Sequence, residues 1–534
     1  MSREGMEDDD GVDVEEFEEG GLSVVTALKW VPRGLLLEKP ITYELSKEEK
    51  EMLLQEQARM EAGEGGADED DADMNEDQDE EDVNDDDEEE EKPKKAGKRT
   101  REEAAASEQQ PAENEEDEDD MDAALPLSQL QDLKLNEDLL DRDDEEEEAD
   151  MGSDVGDQTY KVSDRVLVTA TVEDDQASLE INTYDTETGS FYVHHDIALP
   201  AYPLCIEWLG VKGKELNWTE TESQSFLAVG SFVPHIEIWS LDVLDALEPN
   251  AKLEGHKDAV MCLAWNSAHP HLLASGGADN AVKIWDLQTA QCGRNFNKIH
   301  KDKVQSAVWN PAEPTVLLTG SFDRSVCIFD ARDSDKIARY NVVDSDVECC
   351  VWDVHNPAVF GVATEGGVVT FMDVRLGPSG SPLVSFQAHD DACSSLSCNP
   401  KVPGLYATCS ADKTVKLWDL KAELLSGAAP ASSSSSSKKK SSKKSSSVVL
   451  QDKKPVSTRK MKVGKLFACQ FAASADLPDV DDEQDPFLLA TGGSKGSVAL
   501  WHAGGVEDDE EDVRFKECFA GRALRSPKVW TSGA

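Results

Sequence analysis

The chain has 534 residues, with 52 Lys+Arg against 111 Asp+Glu and a net charge of −59. Positions 61–158 hold about 44 acidic and 8 basic residues, so one stretch is too charged to fold on a core, while the mildly acidic remainder can bury a large one. This balance argues against bulk electrostatic binding to nucleic acid, leaving only local basic patches for such contact. No run of 18 apolar residues predicts a transmembrane helix, and MSREGMEDDD lacks the apolar core of a secretory signal. The eleven cysteines include no CxxC pair. Cys262, Cys327 and Cys469 lie in apolar runs and read as reduced core thiols, not as a disulfide or zinc framework.

In chain order, residues 1–61 form an N-terminal segment. LSVVTALKWVPRG (22–34) reads as a strand. SKEEKEMLLQEQARME (46–61) opens with Ser46 and Glu49, a capping box, and predicts a short helix near 46–60. Residues 62–158 are expected to be a disordered acidic insert. Within it KPKKAGKRTR (92–101) is a basic island, and Lys92, Lys94, Lys95, Lys98 and Arg99 are candidates for a nuclear import signal.

From 159 to 522 the chain repeats. Strands end in an aromatic residue or Met followed by a polar one: Tyr184-Asp185, Trp239-Ser240, Trp285-Asp286, Phe329-Asp330, Met372-Asp373, Trp418-Asp419 and Trp501-His502. The spacings are 55, 46, 44, 43, 46 and 83, the last spanning a Ser/Lys-rich loop (427–447). The clearest unit reads AVMCLAWN (259–266), HLLASGGAD (271–279) and AVKIWDL (281–287), short strands with Gly/Asp/Asn turns. His256, Ser275, Asp279 and Trp285 lie at offsets that let them hydrogen-bond in series across the strands. His300, Thr319 and Asp323 repeat this with Phe329 in place of Trp, and His389, Thr408, Asp412 and Trp418 repeat it fully. Repetition argues for structure, not for a catalytic His/Asp pair. Period and pattern are those of a WD repeat, and predict an all-β, seven-bladed WD-repeat β-propeller with the acidic insert in its first blade.

In this placement 22–34 is strand a of blade 1, and RVLVTATV (165–172) is its strand b. SVVLQD (447–452) is expected as strand d of blade 6, and VRFKECF (513–519) as the last strand of blade 7, before a tail at 523–534. Both inserts then leave from the face carrying the a–b and c–d connections. The lysines of ASSSSSSKKKSSKKSSS (431–447) could contact the acidic insert at low salt. No P-loop, GxGxxG, GxSxG, HExxH or EF-hand pattern is present. His194 and His195, as neighbours in a strand, should point to opposite faces and not share an ion. The chain therefore reads as a non-enzyme with no cofactor, no metal, no small-molecule substrate and no membrane contact.

The chain resembles the periodic tryptophan protein 1 family. The resemblance rests on ALKWVPRG followed by an acidic insert, on SFYVHHDIALPAYPLCIEWL (190–209) and HIEIWSLDVLDALEP (235–249), and on the repeats ASGGADNAVKIWD, FDRSVCIFDAR and ATCSADKTVKLWD. It spans nearly the whole chain. It implies a WD-repeat scaffold for assembly of the large ribosomal subunit and pre-rRNA processing, in the nucleus and nucleolus. The implied partners are ribosome assembly factors and pre-ribosomal particles, with the chain a monomer within a larger complex. Candidate partner-binding residues are the b–c turn residues Asn280, Arg324, Lys413 and Lys495, three of them basic and able to meet pre-rRNA phosphates. Two alternatives are weighed. Asp330-Ala331-Arg332 and Asp373-Val374-Arg375 are similar to the WDxR motif of cullin-based ubiquitin-ligase receptors, with Arg332 and Arg375 as adaptor contacts. An acidic tail also suits a histone-binding role at ribosomal DNA.

Overall fold

The structure is a computed structural model. It describes residues 23–42, 159–426 (except 162, 220–222, 224, 245 and 342–344), 451–472, 486–503 and 519. The expected helix near 46–60, the acidic insert, the import island, 427–450 and the 523–534 tail lie outside the described residues.

Among the described residues, seven antiparallel sheets are arranged as the blades of a propeller, six with four strands and one with three. Strand a is innermost in each. Blade 1 takes its strand a from Ser23–Val31 and its other strands from Arg165–Glu173, Gln176–Tyr184 and Phe191–Leu199. Trp30 pairs with Leu167 and Val31 with Val166, so the segment preceding the insert is knitted into the blade formed after it. After strand a, Ile41–Thr42 runs parallel to Val243–Leu244 of blade 2. Buried Asp242 fixes this return: its carboxylate accepts the Leu37 N–H (2.8 Å), the Ser223 hydroxyl (2.8 Å) and the Ser225 N–H (3.1 Å).

Every second strand is packed on both faces by neighbouring blades. Its sequence is therefore an unbroken run of small and apolar residues instead of an alternation. FLAVGS (226–231), VFGVAT (359–364) and LLATGG (488–493) are buried at every position. Glycine recurs in these strands because the next blade comes close. A Cβ on Gly230, Gly276, Gly320 or Gly492 would lie 2.8, 2.6, 2.5 and 2.5 Å from a methyl of Val260, Val304, Val347 and Val25, respectively. Tryptophans near the end of strand a add polar ties between blades. The indole N–H of Trp309 donates to the Ala264 carbonyl (3.0 Å), that of Trp352 to Val308 (3.2 Å), and that of Trp30 to Gln470 (3.1 Å). The Trp30 bond, with Leu28 and Trp30 packed on Leu488 and Ala490, joins blade 1 to blade 7 and closes the ring.

One expected strand is corrected. Strand d of blade 6 is Ser457–Lys460, paired with Thr414–Leu417, not 447–452. Residues 451–455 have no regular structure, and Gln451 N–H instead donates to the Ser385 carbonyl of blade 5 (2.7 Å). The next strand a begins at Leu466, so a strand ending at 460 leaves the short connection the other blades use. A six-residue helix, Lys421–Ser426, follows strand c of this blade. In blade 7, 513–518 lie outside the described residues. Phe519, the last residue expected in a strand, is helical and packs near Phe487 (ring centroids 6.3 Å) in the blade core.

Candidate functional site

Three blades carry a buried hydrogen-bond relay. In blade 3, one tautomer satisfies every contact. His256 Nδ1–H donates to Asp279 (3.0 Å), its Nε2 accepts the Ser275 hydroxyl (2.7 Å), and Ser275 Oγ accepts the Trp285 indole N–H (2.8 Å). Blade 6 repeats this with His389, Asp412 (2.8 Å), Thr408 (2.8 Å) and Trp418 (2.9 Å). Burial pushes the His256 and His389 imidazoles down, towards the neutral form the relay needs. For the aspartates burial acts upward, but it is outweighed by hydrogen bonds. Asp279 is held below the usual carboxylate range by Lys257 N–H and His256, and Asp412 by Thr414 and His389. In blade 4, His300 reaches Thr319 (2.8 Å) and Asp323 (3.2 Å), and Phe329 offers no donor. There Arg339 from strand d braces the turn, donating to Asp323 (3.2 Å), Ser325 (2.6 Å) and the Ile299 carbonyl. These groups are tied to one another and point into the blades.

The b–c turns lie on one rim of the propeller. Asn280, Arg324 and Lys413 occupy the same turn position, each left-handed at φ +62°, +62° and +68°. Lys495 does not join them. Gly496 takes that position (φ +65°), and Lys495 stands one residue earlier, where the relay blades have aspartate. Asn280 donates to the Lys301 carbonyl (3.2 Å), and Arg324, largely exposed, pairs with Asp346 (3.1 Å). On the opposite rim Arg332 forks onto Asp330 (3.0 and 2.7 Å) and Arg375 onto Asp373 (2.9 and 2.5 Å). Each arginine thus caps its own strand end.

The expectation for His194 and His195 fails. A register shift between Ile181 and Asn182 places a bulge at this point, so His195 pairs with Ile181 while Val193 pairs with Asn182. The bulge breaks the alternation and brings the two rings together, Nδ1 to Nδ1 at 3.0 Å. His194 also stacks on Tyr160 (4.3 Å). Burial, and then the neighbouring His194, push His195 down to about 4, so it is neutral at pH 7. Among the described residues no group of three or more His, Cys, Asp or Glu could hold a metal.

The strands a enclose a central cavity of about 540 Å³. Lys29 and Glu207, side by side on blades 1 and 2, form an ion pair inside it at 2.6 Å.

The sequence reading missed three groups: the strand-a tryptophans, Asp242 and this channel. A signal for the first existed, since Trp265, Trp309 and Trp352 recur at intervals of 44 and 43 residues. Nothing local marks Asp242, whose partners lie far away in sequence.

The family model described as WD domain, G-beta repeat, matches residues 247–286, 291–330 and 380–419, which are strands a to c of blades 3, 4 and 6, each with strand d of the blade before it. A protein of Schizosaccharomyces pombe, described as an uncharacterized WD repeat-containing protein, is 40% identical over 358 residues, 64% of this chain and 61% of that protein. A Drosophila melanogaster protein named periodic tryptophan protein 1 homolog is 30% identical over 53% of this chain and 63% of its own length. Periodic tryptophan protein 1 of Saccharomyces cerevisiae is 30% identical over 48% and 54%. The chain thus spans between about half and two thirds of the length of these relatives. A shorter match, 36% identical over 14% of this chain and 16% of the relative, is to a Trichoplax adhaerens protein named ribosome biogenesis protein WDR12 homolog.

Proposed function

We propose that this chain, a WD-repeat protein similar to the periodic tryptophan protein 1 proteins of fly and yeast, is a non-enzymatic scaffold in ribosome biogenesis. More specifically, it acts in assembly of the large subunit and in pre-rRNA processing, in the nucleolus. The observation that carries the reading is the likeness to two periodic tryptophan proteins, supported by a relative whose name places it in ribosome biogenesis. The geometry is in keeping with it. The polar groups that might have suggested catalysis are committed to holding blades together, which leaves two rims and a channel mouth as surface for partners. Assembly factors are the proposed partners, with pre-rRNA contact limited to local basic patches such as Lys413 and Lys495. The alternative, a ligase receptor, would use Arg332 and Arg375, which are exposed and each paired with the aspartate of its own strand end.

The test is sedimentation of the tagged protein, expressed at its natural level, from nuclear extract. Co-migration with large-subunit precursors, and accumulation of unprocessed precursor RNA on depletion, is the expected result. Protein found only at the top of the gradient, with normal precursor levels on depletion, would count against the proposal.

A further inference from the structure

The mouth of the central channel has a chemistry that the blades do not need. In six blades, strand a starts with a bulge, read as a register shift such as Val304/Ser306 in blade 4 and Val347/Cys349 in blade 5. The extra residues, Gln305 and Glu348 among them, line the cavity. Bulges of this kind re-aim a side chain without breaking the sheet. The mouth that results is two-sided. Gln305, Glu348 and Ser394 lie on the successive blades 4, 5 and 6, while the other side, from blades 7, 1, 2 and 3, is apolar at Phe467, Leu204 and Met261 and polar at Thr26. Phe467 is 38% exposed although it sits on an innermost strand.

The polar side holds unpaired acceptors. The Gln305 amide oxygen is buried and accepts no hydrogen bond among the described residues. The Glu348 carboxylate, half-buried, forms no ion pair or hydrogen bond among the described residues. The nearby cation Arg324 is already engaged by Asp346, and Glu365 and Asp346 add negative charge. Burial first, then Glu365 and Asp346, push the Glu348 carboxyl up to about 7. Ser394 differs, since its hydroxyl donates to the Leu466 carbonyl (2.9 Å). A buried acceptor without a donor, such as the Gln305 oxygen, is costly, and a half-buried carboxylate beside two others favours a cation.

We propose that the channel mouth is a docking site for one arginine side chain of a basic protein partner. A guanidinium supplies several planar donors, enough for both the Glu348 carboxylate and the Gln305 amide oxygen, and its aliphatic stem matches the wall of Phe467, Leu204 and Met261. A phosphate would meet Glu348, Glu365 and Asp346, so nucleic acid is excluded from this point. The carboxylates of Glu348, Glu365 and Asp346 suit a basic side chain, and the occupant we commit to is a second protein. The site stands or falls independently of the ribosome-biogenesis reading.

The test titrates full-length protein with a blocked peptide, acetyl-Gly-Ala-Arg-Ala-Gly-amide, by calorimetry. Its citrulline counterpart is the neutral control. Saturable binding of the arginine peptide is expected, with at least about tenfold weaker binding of the citrulline peptide and of the arginine peptide to Glu348→Gln. Gln305→Leu should weaken binding to a lesser degree, and Arg332→Ala, on the opposite rim, should leave it unchanged. Thermal melting of each variant separates loss of the site from loss of the fold. Equal affinity for both peptides, unchanged binding by folded Glu348→Gln, no saturation at about 10 mM peptide, or displacement of the peptide by an oligonucleotide would each overturn the proposal.

Discussion

At the scale of single residues, buried polar groups divide into those that hold the fold and those held in readiness. Asp279 and Asp412 belong to the first class, each accepting bonds from a neutral imidazole and from turn N–H groups. Asp279→Ala and Asp412→Ala should each cost about 1–3 kcal/mol in urea unfolding, because the histidine and the turn amides lose their acceptor. Unchanged unfolding for both would refute the relay. Acidification should weaken the same blades. His389 and Asp412 both titrate lower in the folded chain than in the unfolded one, so their contribution is present above the unfolded values and is lost as pH falls. Glu348 behaves in the opposite sense. Its folded value near 7 lies above the ordinary 4.5, so the folded state holds its proton more tightly and stability declines as pH rises between those values. Glu348→Gln should therefore be more stable than the parent at pH 8 by about 1–2 kcal/mol, after allowance for its partial exposure, and equal to it near pH 4. A parent and variant whose difference does not change with pH would contradict the account of Glu348 and its neighbours Glu365, Asp346 and Gln305.

At the scale of elements, what could be read from sequence was whatever repeats at fixed offset. The relays were legible because His, Ser/Thr, Asp and Trp recur at matching positions in blades 3 and 6, and strand a of blade 1 because LSVVTALKW resembles the strands that open later units. The His194–His195 contact was hidden because one bulge cancels the period-two rule that the expectation used. Strand d of blade 6 was misplaced because the Ser/Lys loop removes the spacing that fixes register, and VVL is more strand-like than STRK. Lys495 lies in the b–c turn as expected, with Gly496 in the left-handed position that Asn280, Arg324 and Lys413 hold in the other turns. The packing of one blade on the next adds a prediction. Gly276→Ala and Gly320→Ala place a methyl against Val304 and Val347 and should each destabilise by about 1–3 kcal/mol. Neutral effects in thermal melting would mean that the blades can move apart without cost.

At the scale of the whole molecule, the ring is closed by a strand that enters the sequence before the acidic insert. Trp30 binds Gln470 of blade 7 through both its indole and its backbone N–H (3.1 and 3.0 Å), while its strand pairs with blade 1. A chain cut at a specific protease site introduced within 62–158 should stay assembled in native gel filtration and come apart only in denaturant. Release of the N-terminal fragment under native conditions would contradict the split blade. The channel mouth and the b–c turns share one rim, so the propeller can present both to a single partner. The most direct test of the central claim is purification of the tagged protein at its natural level after RNA crosslinking, with mass spectrometry of what remains bound. Large-subunit precursor RNA together with assembly factors is the predicted yield, and recovery of a cullin adaptor without that RNA would contradict the scaffold reading.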